Sequence, residues 1–286
     1  MENEYQYQAS KAKYECLLFD LDDTLYPLSS GLSVEVTKNI QEYMRQELGI
    51  KENKVAELCV SLYKTYGTTM AGLKAIGYNF DYDDFHSFVH GRLPYDLLKP
   101  DPVLRGLLLS LPVRKIFTNS DKAHASRVLH RLGLEDCFEG VISFETLNPA
   151  DNKDDSEARG QSTNPSTNIF DFDEHIRQPN SDMVLPKTPV VCKPFQDSFE
   201  EVFKIVDVDP QNMLFFDDST RNLLTGKQLG LQTVLVGTSH RTKGVDYALE
   251  SIHNIKEALP ELWETNNNAE GNTYSRNVAI ETTVIA

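Results

Sequence analysis

The sequence holds little cysteine. Its four residues, Cys16, Cys59, Cys137 and Cys192, are scattered and form no Cys-x-x-Cys pair. That spacing argues against a disulfide framework or a thiolate zinc site and favours buried thiols in a reducing compartment. No apolar run approaches membrane-spanning length; the greasiest, 106–111, is far too short. Positive charge is also scarce, with 28 Lys and Arg against 43 Asp and Glu, a net charge of −15 and a pI near 4.9. This argues against a nucleic-acid polymer or an anionic membrane as partner, because both need clustered cations. A small phosphorylated ligand needs only one local positive site. Residues 1–15 are polar and acidic, without the basic-then-apolar order of a signal or the Arg-rich pattern of a transit peptide, so the expected location is cytoplasmic. No internal repeat is present.

What is there is enough to build a core: 40% of the 286 residues are hydrophobic. Short apolar runs recur, each ending in a polar group. Cys16-Leu17-Leu18-Phe19 precedes Asp20, Lys115-Ile116-Phe117 precedes Thr118, and Val141-Ile142 precedes Ser143. Met213-Leu214-Phe215-Phe216 precedes Asp217, and Thr233-Val234-Leu235-Val236 precedes Gly237. Near-continuous apolar runs of this length are what a parallel sheet covered on both faces requires. Helical patterns separate them. Ala123, Val128, Leu129 and Leu132 run up to Gly133, and Phe195, Phe199, Val202, Phe203 and Val206 form a stripe at i, i+4, i+7, i+8 and i+11. The predicted fold is a doubly wound α/β parallel sheet, whose chemistry sits at the carboxyl ends of its strands.

Residues 28–98 break the alternation. They carry helical patterns over 34–48, 55–66 and 82–90 and no strand candidate, and read as a helical cap inserted after the first strand. Residues 151–168 contain no Ile, Leu, Val, Met or aromatic residue, so 151–189 is predicted to be a polar, disordered insert, with weak docking over 169–176 and extended chain over 179–189. Residues 264–286 read as a loose tail. The expected organisation is a core domain over 14–27 and 99–263, a cap over 28–98, the insert and the tail.

The chemistry is concentrated at strand ends. Asp20-Leu21-Asp22-Asp23-Thr24 follows the first strand, placing Asp20 and Asp22 on one side of an extended segment. Taken alone, this could equally be an acidic turn. A second pair, Asp217-Asp218, follows another strand. Carboxylates crowded in this way repel unless a cation neutralises them, and oxygen-only ligands select a hard ion such as Mg²⁺. Thr118-Asn119 offers a hydroxyl and backbone N–H groups to phosphate oxygens. Lys193, after Val191-Cys192 and before Pro194, supplies a point charge.

In this order the four pieces resemble the motifs of the haloacid dehalogenase (HAD) superfamily of phosphohydrolases, over about 14–263. The resemblance implies a HAD-like Rossmannoid core with Asp20 as nucleophile, Asp22 as general acid and base, and Lys193 completing the catalytic set. It also implies Mg²⁺ held by Asp20, Asp217, Asp218 and the backbone carbonyl of Asp22, with Thr118 and the Asn119 backbone on the phosphoryl oxygens. Asp22 disfavours dehalogenation, since a halide needs no proton. Asp217-Asp218-Ser219-Thr220-Arg221-Asn222 and Leu93-Pro94-Tyr95-Asp96-Leu97-Leu98-Lys99-Pro100-Asp101 look like the pyrimidine-5′-nucleotidase-like branch. Phe144-Glu145-Thr146-Leu147-Asn148-Pro149 is similar to plant members of that branch.

That likeness implies a 5′-nucleotidase, with xanthosine 5′-monophosphate (XMP) as lead substrate and a role in purine nucleotide catabolism. A pyrimidine or broad nucleotidase is the alternative in the same class. A non-catalytic phospho-ligand module, or a protein phosphatase docking partners through the insert, would be of another class. For the base, the cap offers Tyr63, Tyr66, Thr68, Thr69 and Met70, with Lys74, His90 and Arg92. Tyr63 and Tyr66 equally suit a helix core at i, i+3, and Arg92 a solvated surface. His86, His124, His130, His175, His240 and His253 show no ligand or triad spacing and read as structural.

Overall fold

The structure is a computed structural model and describes residues 13–149, 169, 170, 172, 175, 176 and 184–263. Among them, β1 (Cys16–Phe19), β2 (Arg114–Phe117), β3 (Gly140–Ile142), β4 (Met213–Asp217), β5 (Gln232–Val236) and β6 (Tyr247–Leu249) form one parallel sheet in the order β3-β2-β1-β4-β5-β6. The predicted doubly wound parallel sheet is the fold observed. The chain winds one way from β1 through β2 to β3 and the other way from β4 to β6, so the order reverses between β1 and β4. At such a switch point the loops diverge and leave a crevice at the strands' carboxyl ends.

The period-2 alternation of each strand sorts its side chains between two layers. Leu17, Phe19, Ile116, Leu214, Phe216 and Val234 face one apolar cluster, completed by Leu104 and Leu108 of α5 (Pro102–Leu109) and by Val128 and Leu129 of α6 (Lys122–Leu132). Cys16, Leu18, Phe117, Met213, Phe215 and Leu235 face the other, with Phe199 and Val202 from the helix Gln196–Val206 and Leu223 from the helix Thr220–Gln228. Phe19 and Phe216 stack across β1 and β4 at 4.4 Å between ring centroids. Each fully buried Phe contributes about 1.5–3 kcal/mol of transfer free energy, so the strands that carry the acidic motifs are also the best anchored. All four cysteines are buried free thiols.

Between β1 and β2 lie α1 (Leu32–Gln46), α2 (Glu52–Tyr66), α3 (Thr69–Ala75) and α4 (Tyr82–His90). They enclose a cluster of their own, centred on Tyr43, which meets Phe80, Phe85 and Phe88 edge-on at 4.9–5.8 Å. The helical insertion is therefore as expected, except for α3. The stretch 63–70 reads from the sequence as suited to stack on a base and bond its edge, with no helix expected over 69–75. In the structure Thr68 is the N-cap of α3 and accepts the Ala71 N–H at 3.0 Å, because a short hydroxyl side chain readily captures a free N–H of a helix's first turn.

Part of the polar insert lies against the cap. Residues 151–168 and the tail 264–286 lie outside the described residues. Beyond them, Phe172 is 3% exposed within the cap cluster, the Phe170 N–H donates to the Ile76 carbonyl, and Thr188 Oγ1 donates to the Ala71 carbonyl. These few apolar side chains dock because the cap leaves apolar surface to cover. Among the described residues no helix is long and apolar enough to cross a membrane.

Candidate active site

Asp20 follows β1 directly, and its N–H donates to the Phe216 carbonyl of β4. The Phe19–Phe216 register brings Asp20 beside Asp217, with Phe117 of β2 on the other flank. Into this junction comes Lys193, 1% exposed. Its ammonium donates to Asp20 Oδ1 at 2.7 Å, Asp217 Oδ2 at 2.8 Å and the Phe117 carbonyl at 2.7 Å. An ammonium has three N–H bonds, and all three are used. The Phe117 and Phe215 rings lie 4.8 and 5.4 Å from its nitrogen. Burial opposes the charge of Lys193, but Asp20 and Asp217 outweigh it and hold the ammonium above its ordinary range.

The loop that carries Lys193 is fixed from two sides. Asn119 Nδ2 donates to the Lys193 carbonyl at 3.0 Å and Asn119 Oδ1 accepts the Lys193 N–H at 2.8 Å. The Asn119 side chain is thus a clamp on Lys193. On the cap side, Gly67 (φ +83°) lies so close that a Cβ there would sit 2.3 Å from the Lys193 carbonyl oxygen. Thr118 is buried, with its hydroxyl 2.8 Å from that of Ser120.

Asp217 is fully buried. It accepts from the Ser219 N–H, from Asn222 Nδ2 through both oxygens, and from Lys193. Asp218 is exposed to the crevice, and ligand oxygens of Asp20, Asp217 and Asp218 all come within 4.8 Å of one another. Burial raises Asp20 well above the usual carboxylate range against the pull of Lys193, with Asp217 and Asp218 adding repulsion. Desolvation and then Asp217 push Asp218 up to about 7, although its side chain reaches solvent. An all-oxygen donor set under this repulsion fits a hard divalent cation such as Mg²⁺, and fits thiophilic ions poorly.

Asp22 stands apart. Its Oδ1 accepts from Tyr26 Oη at 2.6 Å and meets His124 Nε2 at 2.7 Å. Burial opposes its charge, but His124 and these hydrogen bonds bring it down to about 2. His124, read from the sequence as structural, is buried, paired with Asp22 and bonded to Tyr95 Oη through Nδ1 at 2.8 Å. It lies 102 residues from Asp22, and no local spacing announces the pair. Arg221 is a second residue missed: it donates to the Tyr63 and Lys64 carbonyls and lies over the Tyr63 ring at 4.7 Å, joining core to cap.

One cavity of about 250 Å³ is lined by Asp20, Asp22, Thr118, Asn119, Lys193 and Asp218 from the core and by Tyr63, Thr68, Thr69, Met70, His86 and His90 from the cap. A larger one, about 700 Å³, opens beside it around Tyr26, Thr238 and His253, away from Lys193. Of the predicted base-reading residues, Thr68 and Thr69 line the smaller cavity, but their hydroxyls already serve α3 and the Cys59 carbonyl. Tyr66 and Arg92 are not brought there, and this corrects their assignment. Tyr66 is 4% exposed in the cap cluster and donates to the Pro186 carbonyl at 2.9 Å, while Arg92 pairs with Glu42 over the Phe88 ring on the cap surface. Burial of the Tyr66 ring is favourable with its hydroxyl bonded, and the Arg92 guanidinium is satisfied by Glu42 and the Phe88 ring. Lys74 likewise lies over the Phe80 and Tyr82 rings inside the cap.

No family model matches the chain. It is 34% identical over 132 residues to phosphate metabolism protein 8 of Saccharomyces cerevisiae, a match covering 43% of this chain. The chain spans 41% of the length of that relative. Among solved structures it is similar to CbbY of Rhodobacter sphaeroides in complex with phosphate, at 16% identity and a TM-score of 0.49, over 87% of this chain and 99% of the other. It is also similar to a HAD phosphatase of Thermococcus onnurineus, at 16% identity and a TM-score of 0.45, over 85% and 96%.

Proposed function

We propose that the chain is a Mg²⁺-dependent phosphatase of small phosphate monoesters, acting on nucleoside 5′-monophosphates with XMP as lead substrate. The observation that carries this reading is the buried ammonium of Lys193, bonded at once to Asp20 and Asp217 at the sheet's switch point.

Asp20 attacks phosphorus through a carboxylate oxygen, and the bond from phosphorus to the ester oxygen breaks. The departing oxygen takes a proton from Asp22, whose Oδ1 is oriented by Tyr26 and whose proton is drawn from the pair it forms with His124. Water then attacks the aspartyl-phosphate and loses a proton to Asp22, the Asp20–phosphorus bond breaks, and inorganic phosphate leaves. Throughout, the Thr118 hydroxyl and the Asn119 backbone N–H bind phosphoryl oxygens, and the Asn119 side chain keeps Lys193 in place. Asp20, Asp217, Asp218 and the Asp22 carbonyl would hold Mg²⁺, which when bound neutralises charge on the phosphoryl group and the crowded carboxylates. The cap over the crevice favours a small substrate over a polypeptide.

A panel of nucleoside monophosphates assayed for released phosphate tests both levels. Activity on XMP well above that on UMP and GMP is expected. Equal rates would remove XMP as lead and leave a broad nucleotidase. No release from any monoester, in wild type and Asp20→Asn alike, would remove the phosphatase reading. Chelation with EDTA should abolish release, and added Mg²⁺ should restore it with no change in circular dichroism.

A further inference from the structure

A second polar cluster lies at the seam between cap and core. His86 and His90 are four apart on α4 and so share a face. Opposite them is Asp121, the N-cap of α6 in the core. Asp121 Oδ2 is bonded to His90 Nδ1 and lies 3.4 Å from His86 Nδ1, while Oδ1 accepts the His124 N–H at 2.9 Å. Ligand atoms of all three residues come within 4.8 Å of one another, and all three are buried. His86 is 7% exposed, yet neither of its ring nitrogens has a hydrogen-bond partner among the described residues. An imidazole buried without a partner costs about 1–3 kcal/mol.

We infer that His86, His90 and Asp121 form a binding site for a borderline divalent metal ion of the zinc class, distinct from the carboxylate site at the switch point. Two imidazoles and one carboxylate are the ligand set of three-ligand zinc sites that keep a fourth position open. Tetrahedral bonds of about 2.0–2.1 Å separate ligand atoms by about 3.3 Å, close to the spacing of His86 Nδ1 and Asp121 Oδ2. His90 exchanges its hydrogen bond to Asp121 for the metal. The fourth position faces a cavity of about 210 Å³ lined by Ser87, Arg127 and Glu145. Burial holds His86 down to about 4 and keeps His90 below its ordinary value, so both rings are neutral, and His90 ligates through Nδ1 once that proton has moved to Nε2. Asp121 is ionised, because the hydrogen bonds it accepts from His90 and from the His124 N–H overcome its burial. Nitrogen donors separate this site chemically from the all-oxygen site, which takes Mg²⁺. With two ligands on the cap and one on the core, a bound ion ties α4 to α6 next to the Asp22–His124 pair.

The test is Co²⁺ titration of the full chain in saturating Mg²⁺, followed by visible absorption. One equivalent should give the intense bands of tetrahedral Co²⁺, and Zn²⁺ should displace them. His86→Ala and His90→Ala should weaken binding by more than the roughly 10–100-fold that losing an outer-shell partner costs. His86→Cys, which restores a ligand, should keep binding and shift the spectrum, separating loss of a ligand from loss of fold. Asp217→Asn should leave the bands in place. Weak six-coordinate absorption alone, bands that survive His86→Ala, or bands lost in Asp217→Asn would overturn the assignment.

Discussion

Two buried polar clusters line one cavity, and the protein completes them to different degrees. Around Lys193 all three ammonium donors are used and Asp217 accepts through both oxygens. Around His86 neither nitrogen is used. Charge accounts for the difference. A buried ammonium or carboxylate costs several kcal/mol unless it is paired, so the first cluster can exist only with its partners in place. A neutral imidazole can be buried unpaired at a much smaller cost, so the second can wait for a ligand. The first cluster is held within the core, and the second exists only while cap and core meet.

The comparison can be broken most severely at Asp20. Asp20→Asn should lower phosphate release by about 10⁴-fold or more, as losing a nucleophile does, in a protein that still binds substrate by calorimetry. Next is Lys193→Met, which leaves Asp20 and Asp217 buried and unpaired. A loss of about 3–5 kcal/mol in urea unfolding is expected, together with loss of activity, whereas His86→Ala should change the unfolding midpoint little. Gly67→Ala probes the seam itself. Its positive φ and the Lys193 carbonyl at 2.3 Å predict a loss of about 1–3 kcal/mol, with kcat falling because Lys193 is displaced. The smallest effect is expected from Tyr66→Phe, which removes one hydrogen bond to Pro186. About 0.5–1.5 kcal/mol of stability should go with KM unchanged; a raised KM would return Tyr66 to the base-reading set.

Much of the core was legible along the chain. Strands β1, β4 and β5 are apolar on both faces, and a run such as Met213-Leu214-Phe215-Phe216 has no other comfortable place. The edge strand β6 was not foreseen, because Tyr247-Ala248-Leu249 is short and only Leu249 is buried. Helix α3 was hidden by its own cap, since Thr68 and Thr69 read as base-binding hydroxyls until those hydroxyls are seen to serve the backbone. Where Phe170 and Phe172 would dock could not be read locally, because the Ile76 carbonyl that accepts the Phe170 N–H lies 94 residues earlier.

The sequence by itself determined which residues end the strands. Asp20, Thr118 and Asp217 follow apolar runs that must be buried, and the winding of a parallel sheet then delivers them to one crevice. Only the tertiary structure decided what those residues touch. That Lys193 reaches both Asp20 and Asp217, that His124 faces Asp22, and that His86 and His90 meet Asp121 depend on contacts across 24 to 173 residues. Hydrophobic periodicity is a local property and can be read locally. The pairing of polar groups is set by where packing brings separate segments together, and no single segment contains it.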